Sequence, residues 1–192
     1  TSAHICYVAM GRADAALVAN ETFRGLAAAR VILEAAGGKL SKLDGSDLRQ
    51  LTRNGHYNAE TTLSPDGKTL LFTSTRDGDI ELYTMNVDGS NVKRITHRVG
   101  YDGGAWFSPD GKQIVWRAAY PKTAADTADY RKLLGEKLVR PARTEVFVAN
   151  ADGSNQRQVT SLGGANFAPI FTPDMRKIIF SSNYEKPRSG NF

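Results

Sequence analysis

Few residues in this chain have the type and spacing that chemistry requires. Three histidines, His4, His56 and His97, and one cysteine, Cys6, are scattered through 192 residues. Nucleophilic serine catalysis needs a hydroxyl beside an imidazole that a carboxylate orients, and one common form places the serine in a Gly-x-Ser-x-Gly turn. That pentapeptide is absent and no Ser/Asp constellation accompanies the histidines, so no catalytic residue is assigned. Structural zinc takes four Cys or His ligands at close spacing, which one Cys and three separated His do not supply. Gly67-Lys68-Thr69 has the ending of a phosphate loop, but Thr62 stands where the earlier glycine belongs, and the segment reads as a hairpin turn. Asp77, Asp79 and Glu81 alternate around Gly78, and hard oxygen ligands in a loop suit calcium. Charged loop tips facing water are the plainer reading, so neither a metal nor a cofactor is expected.

A second set of residues suits binding better than catalysis. His56-Tyr57-Asn58-Ala59-Glu60 corresponds to Gly100-Tyr101-Asp102-Gly103-Gly104 and to Gly164-Ala165-Asn166-Phe167-Ala168. If these are equivalent loops on a rigid scaffold, Tyr57, Glu60, Tyr101, Asp102, Asn166 and Phe167 are candidate contacts for a protein or peptide. Tyr57, Tyr101 and Phe167 read equally well as packing residues.

The equivalence comes from a repeat that must position these groups. Asp44-Gly45-Ser46 returns as Asp88-Gly89-Ser90, and Ser64-Pro65-Asp66-Gly67-Lys68 as Ser108-Pro109-Asp110-Gly111-Lys112, each 44 residues later. The third copies, Asp152-Gly153-Ser154 and Thr172-Pro173-Asp174-Met175, arrive 64 residues after the second, which places an insertion at about 121–141. A period of about 40–45 residues is one four-stranded propeller blade. The β-branched and aromatic runs at 69–74, 113–117 and 177–181 follow Pro-Asp turns, and the Asp-Gly-Ser copies are further turns ahead of strands such as 92–96. The expected fold is mainly β, a partial β-propeller of about three four-stranded units starting near 44, 88 and 152. The last unit lacks its final strand, and the insertion is read as a short amphipathic helix.

Residues 63–78 and 81–90, Leu-Ser-Pro-Asp-Gly-Lys-Thr-Leu-Leu-Phe-Thr-Ser-Thr-Arg-Asp-Gly and Glu-Leu-Tyr-Thr-Met-Asn-Val-Asp-Gly-Ser, resemble the TolB-type β-propeller repeat. The resemblance covers about residues 41–192. It implies an interaction scaffold, often outside the cytoplasm, and assigns no localisation to this chain.

Residues 1–40 read differently, as an α/β segment. Leu26, Ala29, Leu33 and Ala36 have helical spacing, with Thr22 as a candidate N-cap and Gly37-Gly38 as the stop. Tyr7-Val8-Ala9-Met10-Gly11-Arg12-Ala13-Asp14 and the Ala-rich helix ending in Glu34-Ala35-Ala36-Gly37-Gly38 resemble the C-terminal part of the inositol-monophosphatase family. That family's Trp-Asp pair falls on Arg24-Gly25 here, so a metal-binding carboxylate is missing. Residual magnesium-dependent phosphomonoesterase activity is therefore only the enzymatic alternative. The leading expectation is a non-enzymatic chimera joined near 39–45, whose main properties are folding and self-association through exposed sheet edges. A TolB-type interaction module is the alternative. A weak edge strand is expected at 39–43.

Twenty-five basic against twenty acidic residues give a net charge of +5, spread through the units without a nucleic-acid motif, so no nucleic-acid partner is expected. No apolar stretch is long enough to span a bilayer, and none of the first residues form a secretory leader. With 41% hydrophobic and 23% charged residues, the composition is that of a globular chain.

Overall fold

The computed structural model describes residues 50–140 and 143–184. The expected helix at 22–36 and the edge strand at 39–43 lie outside the described residues. Contacts divide the chain into two compact units, Thr1–Gln50 and Leu51–Phe192, and the second holds every strand and helix of the described residues.

Its strands alternate side chains between two faces and reverse at turns that the sequence marks. β1 (Asn58–Leu63), β2 (Thr69–Ser74), β3 (Glu81–Asn86) and β4 (Lys93–Arg94) form an antiparallel sheet in that order. β5 (Tyr101–Phe107), β6 (Gln113–Ala119), β7 (Glu145–Asn150) and β8 (Arg157–Gln158) form a second, with helix α1 (Ala124–Gly135) inserted between β6 and β7. β9 (Asn166–Phe171) and β10 (Ile178–Ser182) form a two-stranded third sheet. The mainly β, partial-propeller reading and the helical insertion are thus observed. The repeat and the sheet are out of phase, however: each Asp-Gly-Ser turn among the described residues joins the third strand of a sheet to the fourth, inside a blade.

Registers repeat with the sequence. Thr69 pairs with Asn86 through to Ser74 with Glu81, and Gln113 with Asn150 through to Ala118 with Glu145. In the first hairpin Gly67, at φ 72°, closes the turn with its N–H on the Ser64 carbonyl, while Asp66 accepts from the Ser64 hydroxyl at 2.6 Å and the Lys68 N–H at 3.1 Å. These donors hold the Asp66 carboxyl below its usual range, and the Asp110 and Asp174 turns do the same. Met175 occupies the slot of Gly67 and Gly111 and takes their left-handed conformation, φ 57°.

The expected strand at 92–96 is shorter, only Lys93–Arg94, because a side chain takes over the ladder. Leu82 N–H donates to the Thr96 hydroxyl at 2.8 Å, and Arg94 Nε donates to the Thr96 carbonyl at 2.8 Å. Thr160 repeats this toward Val146 N–H.

Alternation puts Leu71 and Leu82 on one face of the first sheet and Phe72 and Tyr83 on the other. The first face packs with Ile114, Trp116 and Phe147 in the largest core cluster; Val115, Val146 and Val148 pack with Phe171, Ile178 and Phe180 toward the third sheet. Trp116 is fully buried, its ring 5.7 Å from Phe147. Burial at about 25 cal/mol per Å² makes such sheet-to-sheet faces the main source of stability.

α1 starts at a capping box: the Thr123 hydroxyl accepts from Asp126 N–H, and the Asp126 carboxylate accepts from Thr123 N–H. It ends with Lys137 at φ 61°, Lys137 N–H on the Leu134 carbonyl and Leu138 N–H on that of Leu133, a Schellman arrangement. None of its residues is fully buried, and the side it turns to the protein is half-buried, at Thr127, Tyr130, Leu133 and Leu134. No helix among the described residues is long and apolar enough to cross a membrane.

Candidate functional site

The three equivalent segments are strand beginnings rather than free loops, and each carries a β-bulge. The register slips by one residue after Ala59, Gly103 and Phe167, and the next residue, Glu60, Gly104 or Ala168, takes φ 53°, 62° or 49°. The bulge re-aims the side chain. Glu60 reaches across to the second sheet, its Oε2 accepting from Gly104 N–H at 2.8 Å and its Oε1 from Arg117 at 2.5 Å. Thr73 donates to the same carboxylate at 3.3 Å.

Arg117 also donates to the Tyr101 hydroxyl at 2.6 Å, and its guanidinium lies over the Phe167 ring at 4.8 Å. Burial pushes the Tyr101 phenol up to about 12, so it stays protonated. Glu60, Tyr101 and Phe167 therefore meet around one guanidinium that links all three sheets. A residue-by-residue reading of the loops does not reach Arg117, which lies on β6. The sequence does carry a signal: the equivalent slots hold Thr73 and Ser181, and a long cation among small hydroxyls marks a special contact.

Asp102 and Asn166 are fully buried. Asp102 Oδ1 accepts from Trp116 Nε1 and from the Tyr120 hydroxyl, both at 2.6 Å, and Asn166 Nδ2 donates to the Thr144 carbonyl at 2.6 Å. They tie adjacent sheets together and present no surface to a partner. Tyr57 is the exposed member of the set, at 57%.

Tyr57, Glu60 and Tyr101 line a groove of about 1120 Å³ between the first sheet's loops and α1. Asp77, Asp79 and Arg94 also line it, and Arg131 of α1 and Lys137 just past the end of that helix line its α1 wall. The wall is held by Tyr130, whose hydroxyl lies 2.6 Å from both Asp79 Oδ1 and the Gly100 carbonyl. Burial and the Asp79 charge push that phenol's pKa up, which keeps its proton in place. α1 is inserted in the second sheet yet fastened to the first sheet's loops. Its contribution to the groove has no repeat-based signal, because an insertion occurs in one unit only.

The three acids considered for calcium do not converge. Asp77 accepts from the Tyr83 hydroxyl at 2.8 Å; Asp79 accepts from Ile80 and Gly100 N–H groups as well as Tyr130; Glu81 is buried against Arg94 at 2.6 Å. Among the described residues, no group of three or more His, Cys, Asp or Glu is placed to hold a metal ion.

These bulged, turn-linked sheets are the setting in which family comparison becomes informative. Residues 40–129 match the TolB beta propeller domain. Residues 1–75 match the inositol monophosphatase family, so the two matches share residues 40–75, which include β1 and β2. The TolB homologue of Chlorobium luteolum is 28% identical over 139 residues, which is 72% of this chain and 27% of that protein. TolB from Acinetobacter baumannii has the same fold over 73% of this chain and 30% of its own, with 19% identity and a TM-score of 0.58. A TolB-type protein of Agrobacterium tumefaciens gives 24% identity, a TM-score of 0.53, and coverage of 69% and 45%. The chain thus spans less than half the length of these TolB relatives.

Proposed function

We propose that this chain is a TolB-like interaction scaffold without chemistry of its own, and that the groove beside α1 takes an extended segment of a protein partner. The observation that carries this reading is the groove itself: an exposed aromatic, Tyr57, shares its lining with the acids Asp77 and Asp79 and the cations Arg131 and Lys137. An aromatic anchor with flanking charges of both signs suits a peptide that carries an apolar side chain between charged ones. The match of residues 40–129 to a propeller domain supports a binding role over a catalytic one. The joining of two family matches is read as recombination between them.

The test is selection from a displayed peptide library against the full chain, repeated with Tyr57→Ala and with Arg131→Glu. Both side chains are exposed, so the thermal midpoint should hold while enrichment falls at least tenfold. Enrichment that survives both substitutions removes the groove from the proposal.

Self-association is the second reading, favoured by Ile170 and Ile179. These cross-strand partners on the two-stranded sheet are 40% and 58% exposed. Light scattering over a range of concentrations checks it: a constant monomer mass refutes it, and Ile179→Lys should abolish any dimer.

A further inference from the structure

The two junctions between neighbouring sheets share one frame but differ in what surrounds the buried glutamate: Arg94 stands where Gln158 stands, and Asp102 where Asn166 stands. At the junction of the second and third sheets, Glu145 is fully served by donors. The Thr160 hydroxyl donates to Oε2 at 2.6 Å, Gly163 N–H to Oε1 at 2.8 Å, Leu162 N–H to Oε2 at 3.1 Å, and Asn166 Nδ2 to Oε2 at 3.3 Å. Shifted by the repeat, the same positions at the junction of the first and second sheets are Glu81, Thr96 and Asp102. There a carboxyl group stands where the Asn166 amide stands.

The consequence is visible atom by atom. Glu81 and Asp102 are each fully buried. Glu81 Oε1 is satisfied by Arg94, and Asp102 Oδ1 by Trp116 and Tyr120. The other oxygen of each, Glu81 Oε2 and Asp102 Oδ2, is buried with no hydrogen-bond partner. The Thr96 hydroxyl lies beside both groups, but it has one proton for two acceptors. Two buried carboxylates with unpaired oxygens are strongly disfavoured, and one proton between them removes a charge and supplies the missing donor.

We propose that Asp102 is a neutral carboxylic acid in the folded protein, its Oδ2 proton serving the buried Glu81 carboxylate as the Asn166 amide serves Glu145, so that the first sheet junction is locked by a proton.

The surrounding charges allow this. Arg94, from β4, is committed to Glu81 at 2.6 Å and lies 3.8 Å from Asp77, which leaves Glu81 as the ionised partner. Asp79 adds negative charge near Glu81. Around Asp102 stand the phenols of Tyr120 and, from α1, Tyr130; Arg98 lies over the Tyr120 ring at 4.1 Å, and His97, next to Thr96, is exposed. No cation contacts Asp102 among its hydrogen-bond partners. Burial accordingly pushes the Asp102 carboxyl up to about 7, and Glu81 is also raised, chiefly by burial.

The experiment compares the 192-residue chain with Asp102→Asn and Asn166→Asp by urea unfolding between pH 5 and 8.5. Asparagine keeps an oxygen for Trp116 and Tyr120 and brings a permanent N–H for Glu81. Wild-type stability should fall as pH rises through about 7. Asp102→Asn should lose that fall and exceed wild type at pH 8, and Asn166→Asp should steepen it. An infrared band of a neutral carboxylic acid should be present in wild type at pH 6 and absent from Asp102→Asn. Asp102→Asn that keeps the wild-type pH slope, or a wild-type spectrum without the carboxylic acid band, overturns the proposal. The spectrum needs no variant, so the proposal stays open to refutation even where a variant fails to fold.

Discussion

Glu60→Ala tests whether the bulge exists to send one carboxylate into the next sheet. The substitution removes the acceptor of Gly104 N–H and the counter-ion of Arg117, whose Nε already lacks a partner. Breaking a buried ion pair from one side costs about 3–5 kcal/mol. Here the two side chains are 29% and 12% exposed, so water reaches part of the orphaned guanidinium and the expected loss is about 2–3 kcal/mol. A second effect separates conformation from charge. Residue 60 sits at φ 53°, where a Cβ costs about 1 kcal/mol, so Glu60→Gly should lose about 1 kcal/mol less than Glu60→Ala although both delete the carboxylate. The assay is urea unfolding at pH 7 followed by intrinsic fluorescence, with Arg117→Met and the double variant completing a thermodynamic cycle. Coupling above about 1 kcal/mol is expected between residues 60 and 117. If Glu60→Ala costs under about 0.5 kcal/mol, or the cycle shows no coupling, the carboxylate is not a clasp and the reasoning from bulge to inter-sheet contact fails.

Three other outcomes are expected from the same geometry. Met175→Gly removes a side chain from a left-handed turn position that Gly67 and Gly111 fill in the other units, and should stabilise by about 1 kcal/mol in urea unfolding. Tyr130→Phe deletes the hydroxyl between Asp79 and the Gly100 carbonyl, so amide exchange across 124–135 should quicken about tenfold while the unfolding midpoint changes little, because no helical residue is buried. For pH, the raised Asp102 pKa means the folded chain holds a proton that the unfolded chain releases from about 3.8 upward. Its stabilisation is complete below that value and lost as pH rises through about 7, with a slope approaching about 1.4 kcal/mol per pH unit between. The turn acids Asp66, Asp110, Asp152 and Asp174 act oppositely, since their lowered values remove stability as pH falls, so the Asp102 contribution is read as wild type minus Asp102→Asn.

Much of the architecture is legible in the sequence because it rests on local chemistry that the chain repeats. Ser-Pro-Asp-Gly and Asp-Gly-Ser demand their turns through short hydrogen bonds within five residues, and the apolar runs between them alternate with the period of a strand. The candidate site is less legible. Tyr57 can be named as a candidate, but its exposure cannot be read from its position, since Tyr101 at the equivalent place is half-buried and Ala165 is buried. Asp102 and Asn166 look like loop-tip polar residues in one dimension, yet both are fully buried once the sheets pack. Arg117 and Tyr130 join the site through contacts 16 to 57 residues away in sequence, and Tyr130 and Lys137 come from an insertion without a repeat to compare.

The sequence by itself determined the blade-like unit, its turns and the place of the inserted helix, because strand alternation and turn geometry are decided by neighbours along the chain. Only the tertiary structure decided which strands share a sheet, which acids are buried, and that Glu81 and Asp102 are both buried with an unpartnered oxygen while Glu145 accepts from Asn166. The physical reason is that burial and pairing depend on surfaces brought together from different sheets. A carboxylate has the same letter at a wet turn, as Asp66, and in a dry junction, as Asp102, and only its surroundings decide whether it keeps its proton.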